Sequence, residues 1–117
     1  MVNKNTTKIR KKLDKLDDAF LKLIKKRTNL VDQVLKNKKF KKDIVDRKRI
    51  SVILRSIVKK SKNKNIDPRI TKTIWLSMIK AYINYEFRNF KKKELFAMRR
   101  KFFFYEKFMF SSIGIIF

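Results

Sequence analysis

Apolar residues recur along the first third of the chain at alternating steps of four and three: Ile9, Leu13, Leu16, Phe20 and Leu23, then Arg27, Leu30 and Val34. This spacing lays one stripe along an amphipathic helix. The helix is predicted to begin near Thr6 or Thr7, either of which can cap, and to run to about Lys38. At 1.5 Å per residue it is a rod of roughly 50 Å, too long to be covered by its own short chain without leaving one end bare. The pattern lapses from Lys39 to Asp43 and resumes in a second helix, with Ile50, Ile53, Leu54 and Ile57 on its apolar side and Asp46 and Arg49 near its start. The polar stretch Ser61 to Asn65 ends it. Asp67 then supplies an N-cap and Pro68 a first helical position for a third helix, whose stripe reads Trp75, Ile79, Tyr82 with Ile83, Glu86 and Phe90. With one Gly and one Pro in 117 residues, few breaks are available, and the predicted fold class is all-α: a three-helix protomer with one long N-terminal helix.

Two of these stripes carry a charge where a hydrophobe is expected. Arg27 occupies the seam of the first helix, and its own stripe brings no carboxylate to neutralise it. Burying a cation without compensation costs several kcal/mol or more, so an anion from elsewhere is expected, from another helix or from a ligand. Stepping forward from Arg27 through Val31 and Val34 leads to Lys38, and stepping back leads to Arg10 on an adjacent edge. Taken singly, Lys38 reads as a side chain snorkelling from a helix end and Arg10 as a solvated one. Glu86 is the charged member of the third stripe. It reads either as a structural ion-pair partner, Arg27 being the obvious candidate, or as the one carboxyl of a basic pocket.

Composition narrows the chemistry. The chain has no Cys and no His, which excludes disulfides, thiolate nucleophiles, imidazole bases and the usual zinc ligand sets. Acid and base work falls to carboxylates, Lys or Tyr. The polar start, Met1 to Lys8, lacks an apolar signal region, and no apolar run approaches the ~18 residues of a transmembrane span, so a cytoplasmic protein is expected. A net charge of +24 raises nucleic acid as a partner. Lys outnumbers Arg 25 to 9 and is spread over the whole length, however, as general compositional bias would also produce. No zinc-finger spacing, helix-turn-helix turn or aromatic RNA-binding signature is present, so no specific nucleic-acid partner is expected. Residues 1–93 form the expected helical domain. Residues 94–117 are set apart as a basic extension holding seven of the eleven Phe residues, expected to lie outside the active core.

The spaced charges have a known counterpart. Ile9, Arg10, Leu13, Asp14, Leu16 and Asp17, with Leu23, Arg27 and Lys38, then Asp46 and Arg49, then Ile74, Trp75 and Glu86, resemble the all-helical chorismate mutases over about Lys8 to Phe90. The resemblance implies an intertwined homodimer in which the long first helices pair, with active sites shared between chains. It implies that the substrate is chorismate, a small dicarboxylate, rearranged to prephenate in aromatic amino-acid biosynthesis. By the same resemblance Arg10 binds a carboxylate from the opposite protomer, Arg27 binds the other carboxylate, and Lys38 reaches a carboxylate and the ether oxygen. Asp46 and Arg49 lie on the hydroxyl side, Tyr82 lies near the ring, and Glu86 faces the ether oxygen.

Two positions depart from the family pattern. Ile50 stands where many members have a Glu that holds the substrate hydroxyl, and Tyr82 stands where some have Ser. The reaction is an intramolecular [3,3] rearrangement that needs no nucleophile, metal or histidine, so no cofactor is expected. Its catalysis consists of holding a dianion in a compact conformation and stabilising charge on the breaking ether oxygen. Two alternatives stay open at the level of sequence: an isochorismate-pyruvate lyase of the same fold, and a basic helical nucleic-acid-binding protein.

Overall fold

The computed structural model describes the backbone of residues 3–113 and the side chains of residues 3–94. It holds three α-helices, α1 (Lys4–Lys36), α2 (Arg47–Asn63) and α3 (Pro68–Ile113), with a single 3-10 turn at Lys41–Asp43. No strand occurs among the described residues. The chain divides into two compact units, α1 with its caps and the remainder from Lys38 onward.

α1 starts earlier than its sequence suggests. Asn3 is the N-cap, its Oδ1 accepting from the Thr6 backbone N–H at 2.8 Å and from the Thr6 hydroxyl at 3.0 Å. An Asn side chain caps at least as well as Thr. Thr6 therefore becomes a donor inside the first turn and not the cap itself. The helix closes at Asn37, whose N–H donates to the Val34 carbonyl, so Lys38 falls just beyond it. Along α1 only Leu35 is buried.

The second unit is built around an αα-hairpin. Asp46 caps α2, its Oδ1 accepting from the Arg49 N–H at 3.0 Å. At the other end Asn65 takes a left-handed φ of 56°, Ile66 N–H donates to the Ser61 carbonyl at 2.8 Å and Asn65 N–H to the Lys62 carbonyl at 3.2 Å. That pair of bonds is a Schellman closure, and Asn is one of the few non-Gly residues that accept its left-handed position. Asp67 then caps α3 through the Arg69 N–H at 2.9 Å, with Pro68 as the first helical residue, as the sequence predicts. α2 and α3 pack together, and the buried Ser61 hydroxyl shares a 2.6 Å hydrogen bond with that of Thr71 across them.

α3 continues without a break to Ile113, so the backbone of the C-terminal stretch extends the third helix. The side chains expected to make that stretch distinctive, among them Arg99, Arg100, Lys101, Lys107 and the clustered Phe residues, lie outside the described residues.

Candidate active site

The segment joining α1 to α2 is folded over one face of α3. A local bond steadies it: Phe40 N–H donates to Asp43 Oδ2 at 3.1 Å. Ile44, which follows the 3-10 turn, is 3% exposed and anchors the segment. From this segment Lys38 extends its ammonium to Glu86 Oε1 at 2.9 Å and lies 3.4 Å from the Ile44 carbonyl. Both partners are largely withdrawn from water, with side chains 17% and 8% exposed.

Burial decides how much this pair matters. An exposed Lys–carboxylate pair contributes little, whereas removing one partner of a buried pair strands the other charge at a cost of about 3–5 kcal/mol. Glu86 sits one turn before Phe90, which is 2% exposed, and the two form the buried edge of the third helix's stripe. The carboxylate thus comes from α3, and the stapled segment brings the cation to it.

The ammonium of Lys38 has three N–H donors. Two are directed at Glu86 and the Ile44 carbonyl. Neither of these bonds uses the third. A lysine that reads from sequence as snorkelling is here half of a part-buried ion pair. Within the second unit Glu86 forms its ion pair with Lys38.

The remaining predicted site residues are distributed as follows. Arg10 is exposed and Arg27 half-buried, both on α1. Asp46 is engaged through one oxygen as the cap of α2, and it borders a recess of about 550 Å³ together with Asp43, Val45 and Arg47. Arg49 is exposed in the first turn of α2. Tyr82, half-buried and one turn before Glu86, meets Tyr85 edge-on with ring centroids 6.4 Å apart. Within the second unit the structure therefore brings Lys38 to Glu86 and sets Tyr82 beside them along α3, while Asp46 and Arg49 share the start of α2. A separate groove of about 720 Å³ between α2 and α3 is lined by Leu54, Arg55, Val58, Lys59, Lys62 and Lys72, with Ser51, and none of the predicted site residues borders it.

Sequence reasoning missed Lys93, whose Nζ donates to the Lys38 backbone carbonyl at 3.1 Å. It lies in the run Lys91, Lys92, Lys93, where nothing marks one lysine from its neighbours. Its position seven residues after Glu86, on the same helical face, was the one available signal.

An all-helical chain without strands among its described residues, carrying a part-buried ammonium–carboxylate pair, defines the class. Residues 9–87 match the family model of chorismate mutase type II. The chain belongs to that family. No curated protein matches it, and no solved structure does. No helix among the described residues is long and apolar enough to cross a membrane.

Proposed function

We propose that this protein is a chorismate mutase that works as a homodimer with sites shared between chains. The observation that carries the reading is the part-buried Lys38–Glu86 pair at 2.9 Å, formed by two of the residues that the resemblance implies at the ether oxygen. In the rearrangement the ether C–O bond breaks as a C–C bond forms within one molecule, and no proton is gained or lost overall. Negative charge grows on the ether oxygen as that bond stretches. The uncommitted N–H of Lys38 meets it, and Glu86, when it carries a proton, adds a second donor. Arg27 and Arg10 hold the two carboxylates, the planar fork fixing orientation as well as charge. Asp46 and Arg49 serve the hydroxyl side, and Tyr82 flanks the ring.

The dimer follows from α1. Arg10 and Arg27 lie on one unbroken helix about 25 Å apart along its axis, too far for one small dicarboxylate. They meet in one site only if they come from different chains. The stripe from Ile9 to Val34 has its midpoint between Leu21 and Lys22. An antiparallel pair of α1 helices centred there sets Arg10 of one copy across from Gln33 of the second, between that copy's Arg27 and Lys38 in sequence. The exposed stripe also supplies the adhesive surface, since burying each half-exposed Leu, Ile or Phe contributes about 1 kcal/mol.

The experiment is chorismate depletion by the purified protein, with pyruvate release from isochorismate followed in parallel to separate mutase from lyase. Arg10→Ala and Arg27→Ala subunits are each expected to be inactive. Mixed, they regain about a quarter to a half of parent activity, because one of the two sites in each heterodimer is then intact. Verified heterodimers without recovery would overturn the shared site, and a parent that leaves chorismate untouched would overturn the mutase reading.

A further inference from the structure

Resting on that reading, we infer that Lys93 is a positioning residue for Lys38, so that the working site reaches past the family match at residues 9–87 into the next turn of α3. Glu86, Phe90 and Lys93 follow one another at steps of four and three, hence on one helical face. Lys38 is held by that face at both ends. Its backbone carbonyl accepts from Lys93 Nζ at 3.1 Å, and its ammonium reaches Glu86 Oε1 at 2.9 Å. Between the two holds lies Phe90, 2% exposed, with the Lys93 ammonium 5.8 Å from its ring centroid.

The two anchors are separated by seven residues, or about 10 Å along the axis, a span closed by the side chains of Lys38, Glu86 and Lys93 together. A lysine side chain tethered only at its tip is able to swing about its backbone. Fixing the carbonyl removes that freedom and aims the third N–H. Next to this strap, Lys41 Nζ and Glu94 Oε2 approach to 4.0 Å, so the same turn of α3 also touches the following residues of the segment.

Lys93→Met tests the inference, because it keeps an apolar stem over Phe90 and removes the ammonium; Lys93→Arg retains a charged donor. Lys93→Met is expected to lower kcat roughly 5- to 10-fold with KM little changed, since the displaced N–H acts on charge that develops in the transition state, and Lys93→Arg should recover most of it. The second readout needs no activity. In protein labelled with 15N-lysine, the Lys38 ammonium gives a side-chain correlation when its hydrogens are held from exchange. That signal should be present in the parent and in Lys93→Arg and absent in Lys93→Met. A Lys93→Met protein that melts earlier but keeps parent kcat and the parent signal would overturn the inference, as would a parent in which the signal is missing. Should the parent fail to turn over chorismate, the mutase reading falls, and the ammonium signal alone decides whether Lys93 holds Lys38.

Discussion

Two stripes of the same design meet different fates. Each is a run of apolar residues at helical spacing with one charge set into it, Arg27 in α1 and Glu86 in α3. On α3 the stripe ends buried, with Glu86 6% and Phe90 2% exposed. On α1 it stays open, Leu16 at 65% and Leu30 at 60%. The periodicity therefore states that a face wants cover and is silent on what covers it. The second unit finds its cover within the chain, through the Lys38–Ile44 segment. The stripe of α1 is the surface that the proposed second copy would take up.

The comparison breaks most visibly if each stripe is damaged in turn. Leu16→Asp puts a charge into the open stripe. It is expected to abolish dimerisation and with it essentially all activity, while Phe90→Ala should cost about 3–5 kcal/mol of folding stability through the cavity that it leaves. Sedimentation and denaturant unfolding separate the two. A Leu16→Asp protein that stays dimeric and active would remove α1 as the interface.

Next in size is Arg27→Lys. A single ammonium keeps the charge and loses the two parallel donors of the fork, so kcat/KM should fall by about 2 to 4 kcal/mol of transition-state stabilisation, nearly as far as in Arg27→Ala. Steady-state kinetics on a folded dimer measure it. Near-normal turnover would mean that the charge in the open stripe only packs or pairs, and the two stripes would then differ in exposure alone.

The charge in the closed stripe makes a smaller and more selective prediction. Glu86 accepts from Lys38 when ionised and can donate to an ether oxygen only when protonated. Glu86→Gln places a permanent amide donor at that position, so its kcat/KM should equal or exceed the parent's in steady-state kinetics. A Glu86→Gln kcat/KM well below the parent's would leave Glu86 as the structural partner of Lys38 and nothing more.

How far the sequence revealed these features depended on whether the signal was local. Three helices, the Asp67–Pro68 start of α3 and the place of Asp46 and Arg49 near the start of α2 are written in neighbouring residues, and they appear as read. The start of α1 slipped by one turn because Asn3, Thr6 and Thr7 are all competent caps, and only the folded turn shows that Asn3 accepts while Thr6 donates. The charged stripe positions were equally legible. Their pairing was not. Helical register put Lys38 on the α1 face and Glu86 on the α3 face, but that Lys38 meets Glu86 depends on how the Lys38–Ile44 segment turns back onto α3, a path without any repeat to betray it. Lys93 was invisible for the same reason, its acceptor being a backbone carbonyl 55 residues away in sequence.

The smallest effect should come from the second unit's exposed charge pair, which sharpens the contrast between a part-buried ion pair and one in water. Arg69 donates to Asp67 from Nε at 3.2 Å and Nη2 at 3.1 Å, and its backbone N–H adds a third bond at 2.9 Å. These bonds, the guanidinium's first and the backbone's second, hold the Asp67 carboxyl below its ordinary value of 3.8. A carboxyl whose folded-state value is depressed stabilises the fold fully above its unfolded value and loses that contribution as pH falls through the folded one. The Arg69 side chain is 92% exposed, so water and salt screen most of the attraction. Asp67→Asn keeps a good cap and removes only the charge. Denaturant midpoints measured against pH should set it slightly below the parent at neutrality, with the gap closing as pH falls below about 4. A gap that persisted at pH 2 would mean that the cap's geometry, and not its charge, is what Arg69 recognises at the head of α3.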